Sequence, residues 1–216
     1  LSKRTTYGLV RTPVDSGFLR DIKPGPRSAL GIAFVRLGDL AGRQLPLREI
    51  TAPVLQALSR ETGLTIRVAV AEHGYPVFVD RVDALGAVRF YAPLGVRELP
   101  HTSAAGKAIL ATMPDDDVAR IAKECGLPQR TRKTISDLHT LEADLKVARR
   151  RGYAIDDEED VEGVFCVAAA FFDHTGQCAG ALSATGIKLD LPGWRVEELG
   201  HAVRANADRV TKLLDR

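Results

Sequence analysis

The sequence predicts an α+β fold, in which helices pack on a central, mostly antiparallel sheet and a smaller basic segment comes first. Three observations predict it. Segments with alternating apolar residues, typical of strands, are joined by short turns that contain Gly or Asp, as in hairpins. Segments with helical apolar periodicity interrupt this series without the regular strand–helix alternation of parallel sheets. The first 36 residues carry a net charge of +5, which leaves −3 for the remainder.

The composition excludes several classes of protein. The 216 residues are 45% hydrophobic and 27% charged, as in ordinary globular proteins, and allow one core of about 150 residues with an appendage. No apolar run approaches the roughly 20 residues of a membrane helix, and no secretion signal is evident, so we expect a cytoplasmic protein without a membrane partner. The three scattered cysteines form neither a disulfide framework nor a CxxC zinc pair.

The N-terminal part begins with a helix and a turn. Residues 2–16 predict a helix that ends at Gly17, because glycine readily adopts the left-handed conformation that follows many helices. The Pro- and Gly-rich run 23–27 predicts a short hairpin, or wing, with a basic tip. A helix-compatible segment, 32–40, then leads to Pro46. We expect a first domain at 1–31, a linker helix at 32–46 and a second domain at 47–216.

The elements of the second domain follow from the same two periodicities. Thr51 and Pro53 predict the start of a helix that ends at Gly63. Apolar and polar residues alternate over 64–70, and the chain returns as a second strand at 77–79. Together these segments predict a hairpin with one buried face. Further strands are expected at 88–92, 153–155, 164–172 and 178–185. Further helices are expected at 103–112, 115–125, 138–151 and 195–214.

Basic and hydroxyl side chains crowd the first turns of the N-terminal helix. Lys and Arg neutralise phosphates, and hydroxyls and free helix-start amides bond phosphate oxygens, so this composition is typical of a helix that reads DNA. An ordinary amphipathic surface helix, or a solvated basic tail, would show the same residue types. The candidate DNA-binding residues are Ser2, Lys3, Arg4, Thr5, Thr6, Tyr7 and Arg11.

Small residues crowd the start of the helix expected at 103–112. Free amides at a helix N-terminus attract anions, and Ala104 and Ala105 would let a ligand approach the backbone closely. The phosphate-loop pattern GxxxxGK[ST] is absent, since the basic residue Lys107 lies inside the helix. The alternative interpretation is a tightly packed helix with Ser103 as its cap.

A third group of candidate residues lies around the strand that holds Cys166. Ser183 and Thr185, two apart on the next strand, share one face and would present two hydroxyls to a pocket beside Cys166. The acidic run 156–160 is more typical of a solvated loop than of a metal site, because it lacks the alternating ligands and central glycine of a calcium loop. We therefore expect neither a metal nor a cofactor.

Cys166 also allows an interpretation as an enzyme. It would act as a nucleophile, with His101 or His174 as the base. A cysteine within an apolar strand is more often a small, buried core residue. We therefore expect a protein that is not an enzyme.

Taken in this order, the three groups resemble the IclR family of bacterial transcription factors over the whole chain. The resemblance is carried by 1–19, 29–38, 61–63, 100–111, 152–169 and 181–186, of which 105–108 and 152–169 are the most specific. It implies a winged helix-turn-helix that binds double-stranded DNA, a dimerising linker helix and a C-terminal domain similar to GAF sensors. It also implies a homodimer or homotetramer and a small organic-acid effector.

The same resemblance implies which residues hold the effector. The family's contacts match the backbone at two positions and the side chains at four, namely Ala104, Ala105, Asp156, Cys166, Ser183 and Thr185. Helix-start amides would receive a carboxylate, while the hydroxyls and the thiol would hold the other end of the ligand. We expect the effector to shift the population of dimer or tetramer geometries and thereby to change DNA binding.

The N-terminal segment departs from the family pattern in three ways. The first two helices of the DNA-binding unit are absent, Gly8 stands at a usually basic position, and Pro13 replaces a usual leucine. In a helix interior, proline costs about 3 kcal/mol and glycine about 1 kcal/mol relative to alanine. We therefore expect a full-length parent, rather than this segment alone, to bind DNA. The alternative function is a stand-alone small-molecule sensor or adaptor that has lost DNA binding.

Overall fold

The computed structural model describes residues 3–25, 27–43, 46–85, 93–189 and 192–215. The chain divides into two compact units, residues 1–46 and 47–216. Within the described ranges, no helix is both long enough and apolar enough to cross a membrane.

The N-terminal unit consists of two helices and a hairpin: α1 (Lys3–Asp15), β1 (Leu19–Ile22), β2 (Arg27–Leu30) and α2 (Ala33–Arg43). Helix α1 ends where Gly17 adopts a left-handed conformation, with φ of +75°. The Gly17 N–H donates to the Val14 carbonyl at 3.0 Å, and the Phe18 N–H donates to the Pro13 carbonyl at 2.8 Å. These two bonds form a Schellman motif, which confirms the predicted end of the helix.

The predicted hairpin is also present in this unit. Strands β1 and β2 pair antiparallel, with Leu19 opposite Leu30. The Gly31 N–H donates to the Phe18 carbonyl at 2.7 Å, and the Phe18 ring packs edge-to-face on Phe34 at 5.6 Å. The base of the hairpin is therefore fixed between the end of α1 and the start of α2.

The C-terminal unit is built on a five-stranded sheet. Its elements are α3 (Pro46–Thr62), β3 (Thr65–Glu72), β4 (Tyr75–Val82), α4 (Ala104–Leu110), α5 (Asp115–Cys125), α6 (Leu138–Arg151), β5 (Ala154–Asp157), β6 (Val164–Phe172), β7 (Cys178–Ile187) and α7 (Gly193–Leu214). The strand order is β4-β3-β7-β6-β5, and every neighbouring pair is antiparallel. The predicted α+β class and the antiparallel sheet are confirmed.

Both faces of this sheet are covered by helices. On one face, large apolar side chains from α3 and α7, among them Leu55, Leu58 and Val203, join the strands in one buried cluster. On the other face, the strands contribute mostly alanines, such as Ala168 and Ala181, which cluster with the alanines of α4. Small side chains on both surfaces let α4 lie close to the sheet. Helices α5 and α6 extend this layer with a third cluster.

The structure corrects three expectations about these elements. The β3–β4 hairpin was expected to have one buried face, but Thr65 and Arg67, on its expected polar face, are also buried. The Ala84 N–H donates to the Thr65 Oγ1, and Glu98 and the Phe78 ring contact Arg67. Helix α3 begins at Pro46 rather than near Thr51, since a proline in the first turn needs no N–H partner. Strand β5 extends two residues further than expected, to Asp157. The strand expected at 88–92 lies outside the described residues.

Candidate functional site

A cavity of about 290 Å³ lies on the α4 side of the sheet. Five side chains from the strands line it, and loop residues that include Glu98 and Ser103 close it. The strand residues are Arg67 on β3, Asp156 on β5, Val164 and Cys166 on β6, and Thr185 on β7. Three of the residues predicted to hold an effector are therefore brought together, although they come from three different strands.

Register explains why these side chains share one face. Asp156 pairs with Cys166, which pairs with Thr185, so the three form one row across the sheet. Side chains directly opposite one another in an antiparallel sheet lie on the same face. The Cys166 Sγ lies 3.3 Å from the Thr185 Oγ1. Ser183 belongs to the next row and is buried, and its hydroxyl has no hydrogen-bond partner among the described residues.

Asp156 is a buried carboxyl rather than part of a solvated loop. Its Oδ1 accepts the Glu159 N–H at 2.7 Å and the Asp160 N–H at 3.4 Å. Burial raises the pKa of Asp156 to about 7, against the opposing effect of the Glu159 N–H. The carboxyl therefore changes charge near neutral pH, and the expectation of a solvated acidic run is wrong for this residue.

The start of α4 has a serine cap. The Ser103 Oγ accepts the Gly106 N–H at 3.1 Å, and Ser103 also lines the cavity. Ala104 and Ala105 follow immediately, and their side chains are buried in the alanine cluster. The tightly packed, serine-capped helix that the sequence allowed is the local structure, and it lies at the edge of the cavity.

A buried ion cluster holds the acidic segment against α4, and the sequence analysis did not foresee it. The Lys107 side chain is fully buried, with its Nζ 2.7 Å from both carboxylate oxygens of Glu159 and 3.0 Å from the Asp144 Oδ2. Burial raises the pKa of Glu159, while the Lys107 charge opposes that rise. One signal in the sequence could have indicated the burial of Lys107. It stands among alanines and a glycine on a short helix, a setting in which a solvated lysine is unusual.

Arg67 and Glu98 are the other site residues that the sequence analysis missed. The Arg67 Nη1 donates to the Glu98 Oε1 at 3.1 Å, and the guanidinium stacks on the Phe78 ring at 3.7 Å from its centroid. Burial raises the pKa of Glu98, and the Arg67 charge opposes this effect. Alternation placed Arg67 on the outward face of a strand, and nothing local in the sequence indicates that a helix covers this face.

The arrangement does not support nucleophilic catalysis by Cys166. Burial raises the pKa of its thiol to about 12, and its hydroxyl neighbour is Thr185. The His101 Nε2 contacts the Pro128 carbonyl at 3.2 Å, whereas His174 lies exposed in the turn between β6 and β7. In the part of the chain that the structure describes, no group of three or more His, Cys, Asp and Glu residues is arranged to hold a metal.

The candidate DNA-binding residues lie at the start of the N-terminal unit. Ser2 lies outside the described residues, and so do the side chains of residues 3–7, whose backbone forms the first turns of α1. Arg11 is exposed on the same helix, and its Nε lies 3.3 Å from the nearer oxygen of Asp15. These positions stay a prediction.

A second cavity, of about 360 Å³, lies between α4, α6 and α7. Alanines form most of its apolar wall, and Arg149 and Arg204 lie at its rim. The Arg149 guanidinium is already bonded to the carbonyls of Ala111 and Met113 and to Asp115. None of the six predicted effector contacts lines this cavity, so the smaller cavity is the candidate site.

Comparisons with known proteins agree with this architecture. Residues 41–212 match the family model described as the C-terminal domain of the bacterial transcriptional regulator IclR. The chain is 32% identical to the transcriptional repressor IclR of Escherichia coli K12 and 33% identical to the acetate operon repressor of Salmonella typhimurium. Each alignment covers 98% of this chain and 78% of the relative. The crystal structure of the Thermotoga maritima IclR superposes with a TM-score of 0.86 at 25% identity, covering 100% of this chain and 87% of that one.

Proposed function

The chain belongs to the IclR family of bacterial transcriptional regulators, and from this premise we propose that it controls transcription in response to a small organic acid. It is a transcription regulator rather than an enzyme, as its relatives are, and its C-terminal unit has the GAF-like fold of that family. In the proposed mechanism it acts in the cytoplasm, binds double-stranded DNA through its N-terminal unit and binds the acid in the cavity beside Asp156.

The N-terminal unit supports DNA as the partner. Seven basic and two acidic side chains in the first 36 residues give this segment its positive charge. Arg11 is exposed on α1, and Lys23 and Arg27 are exposed around the hairpin turn. A helix followed by a hairpin with a basic tip is the order of elements in winged DNA-binding units, in which cations neutralise phosphates along the duplex. We propose 1–31 as part of this domain and 32–46 as the linker helix.

The cavity of the C-terminal domain carries the proposal of an effector. It has the size of a pocket for a small ligand, and its polar groups converge from four strands and a helix start. Asp156, Cys166 and Thr185 line it, and they are among the contacts that the family resemblance implied. Ser183 and the backbone at Ala104 and Ala105 complete the proposed set.

The linker helix supports a homodimer, which we propose as the minimal functional unit. Helix α2 exposes Phe34, Val35, Leu37 and Leu40 within the described chain. An apolar helix surface of this kind marks a protein–protein contact more often than a solvated face. Effector binding would then shift the population of dimer or tetramer geometries and change the spacing of the two DNA-reading helices.

Fluorescence anisotropy with the natural full-length protein tests the proposal. The protein is titrated onto a labelled fragment from upstream of its own gene, at several salt concentrations between about 50 and 200 mM, with and without small carboxylic acids. We expect affinity to fall steeply with salt and to respond to at least one acid. Arg11→Gln should reduce the salt slope by about one, whereas Arg60→Gln, exposed on α3, should not. DNA binding that does not depend on salt, or that responds to no acid, contradicts the proposal.

The rival function, a stand-alone sensor or adaptor, has one structural observation in its favour. Pro13 lies inside α1, where it removes a backbone N–H from the helix that would read DNA. The rival predicts that a carboxylic acid raises the melting temperature of the protein while no DNA fragment binds. The proposed regulator requires both responses in the same full-length preparation.

A further inference from the structure

Arg67 is the most unusual residue of the cavity. It lies in the middle of β3, is 7% exposed and lines the cavity wall. Its Nη1 is bonded to Glu98, but its Nε has no hydrogen-bond partner among the described residues. Directly opposite on β7, the buried Ser183 hydroxyl is also without a partner in the described chain. Two buried polar groups in register are therefore left unsatisfied within the described chain, and Arg67 is the one of them that lines the cavity.

A buried guanidinium with unused donors is unfavourable unless something accepts from it. A guanidinium carries several N–H groups arranged to grip the two oxygens of a carboxylate. Among the described residues that line the cavity, Arg67 is the one cation, while Glu98, Asp156 and Asp160 are acids. An anionic ligand would therefore find its favourable partner at Arg67 and at no other charged side chain of this wall.

The two ends of the cavity differ in chemistry. Arg67 on β3 and Asp156 on β5 are separated by β7 and β6, which places their backbones about 14 Å apart. Both side chains line the same cavity. A ligand in contact with both would carry a carboxylate at one end and a hydroxyl, able to donate to Asp156 or accept from it, at the other.

We propose that Arg67 binds the carboxylate of the effector in place of Glu98, so that this site selects small hydroxycarboxylates by charge. The inference rests on the proposed function and deepens it, since Arg67 is not among the contacts implied by the family resemblance. Glu98 holds the guanidinium before the ligand binds and competes with the incoming anion. Arg67 then sets specificity, while Cys166 and Thr185 shape the wall between the two ends.

The test compares matched acids and amides on the full chain. Glycolate, lactate and 3-hydroxybutyrate, each with its neutral amide, are titrated by isothermal calorimetry. We expect at least one acid to bind, and its amide to bind about 10- to 100-fold more weakly, as is typical for the loss of a charged hydrogen-bond partner. If no acid of the set binds, or if acid and amide bind equally, the inference is overturned.

Three variants separate ligand binding from a structural role. Arg67→Gln should abolish the preference for acid over amide, whereas Glu98→Gln should strengthen acid binding because it removes the competing carboxylate. A merely structural ion pair would weaken binding in both variants. Arg97→Gln is the matched control: Arg97 is also paired with a glutamate (Glu72) and stacked on an aromatic ring (Tyr75), but it lies outside the cavity.

The two proposals fail in distinguishable ways. If DNA binding by the full-length protein responds to an acid, but the Arg67→Gln variant still prefers the acid to its amide, only the proposed role of Arg67 is overturned. DNA binding that ignores every compound overturns the proposed regulation, whatever the calorimetry gives. Circular dichroism of Arg67→Gln and Glu98→Gln, with melting temperatures recorded, confirms that the variants compared are folded.

Discussion

Replacing Asp156 with asparagine should stabilise the ligand-free protein at alkaline pH. The side chain is 3% exposed, and burial raises its pKa from an ordinary 3.8 to about 7. Asparagine keeps an oxygen for the Glu159 N–H, which Asp156 accepts at 2.7 Å, and removes the buried charge. Lys107 stays paired with Glu159 and Asp144, so the substitution leaves no cation without a partner.

The size of the effect follows from proton linkage. The folded chain holds the Asp156 proton more tightly than the unfolded chain does, so binding of this proton stabilises the fold. The stabilisation is complete below about pH 4 and is lost as the pH rises through about 7. At about 1.4 kcal/mol per pKa unit, a shift of about three units corresponds to roughly 4 kcal/mol. Roughly 3 kcal/mol of this loss falls between pH 5 and pH 8.

Urea denaturation at pH 5, 6, 7 and 8 measures the effect, because the free energy of unfolding is obtained from the midpoint and slope of each curve. The advantage of Asp156→Asn over the wild type should grow across this range. Asp157→Asn is the control: although partial burial raises the pKa of Asp157, the hydrogen bonds and charges of Lys188 and Lys133 together outweigh it and lower that pKa overall. The control should therefore be less stable than the wild type at pH 8. An Asp156→Asn curve parallel to the wild type would refute the reasoning.

Three further predictions concern packing, the ion cluster and the thiol. A Cβ on Gly106 would lie 2.5 Å from a backbone Cα of the preceding turn, so Gly106→Ala should destabilise the fold by roughly 2 kcal/mol or more in urea; a loss no larger than for Gly193→Ala, at the exposed start of α7 where space is open, would contradict this. Lys107→Met should lower the free energy of unfolding by about 3–5 kcal/mol, and adding Glu159→Gln to that variant should restore most of the loss. If the losses of the two single variants simply add in the double variant, the two residues do not interact. Cys166, with its thiol pKa raised to about 12, should react with iodoacetamide about a thousandfold more slowly than in the unfolded chain, as measured by peptide mass spectrometry; equal rates would disprove its burial.

Much of the fold could be predicted because the periodicities are local. The helix over 115–125 and the strand over 164–172 have the bounds expected from the sequence. Alternation also placed Ser183 and Thr185 on one face, and the register of β7 against β6 places Thr185 beside Cys166. The family resemblance, carried by the 105–108 and 152–169 motifs, is confirmed by the comparisons with known proteins.

Periodicity did not indicate which faces are covered by other elements. Alternation shows that Arg67 and Val68 point to opposite sides of β3, and in a two-layer protein the arginine side would face water. Here the Phe78 ring and the segment that carries Glu98 contact that side, so Arg67 is buried. Whether a strand face meets solvent depends on residues that are distant in sequence, such as Glu98, which lies 31 residues after Arg67.

The sequence by itself therefore determined most of the secondary structure, the antiparallel class and the family, because each rests on neighbouring residues or on a linear motif. Only the tertiary structure decided that Lys107 and Glu159 form a buried ion cluster, that Asp156 carries a carboxyl with a raised pKa, and that Arg67 is the cation of the cavity wall. The physical reason is that burial and charge pairing depend on distance in space, and these partners lie between about 30 and 50 residues apart along the chain.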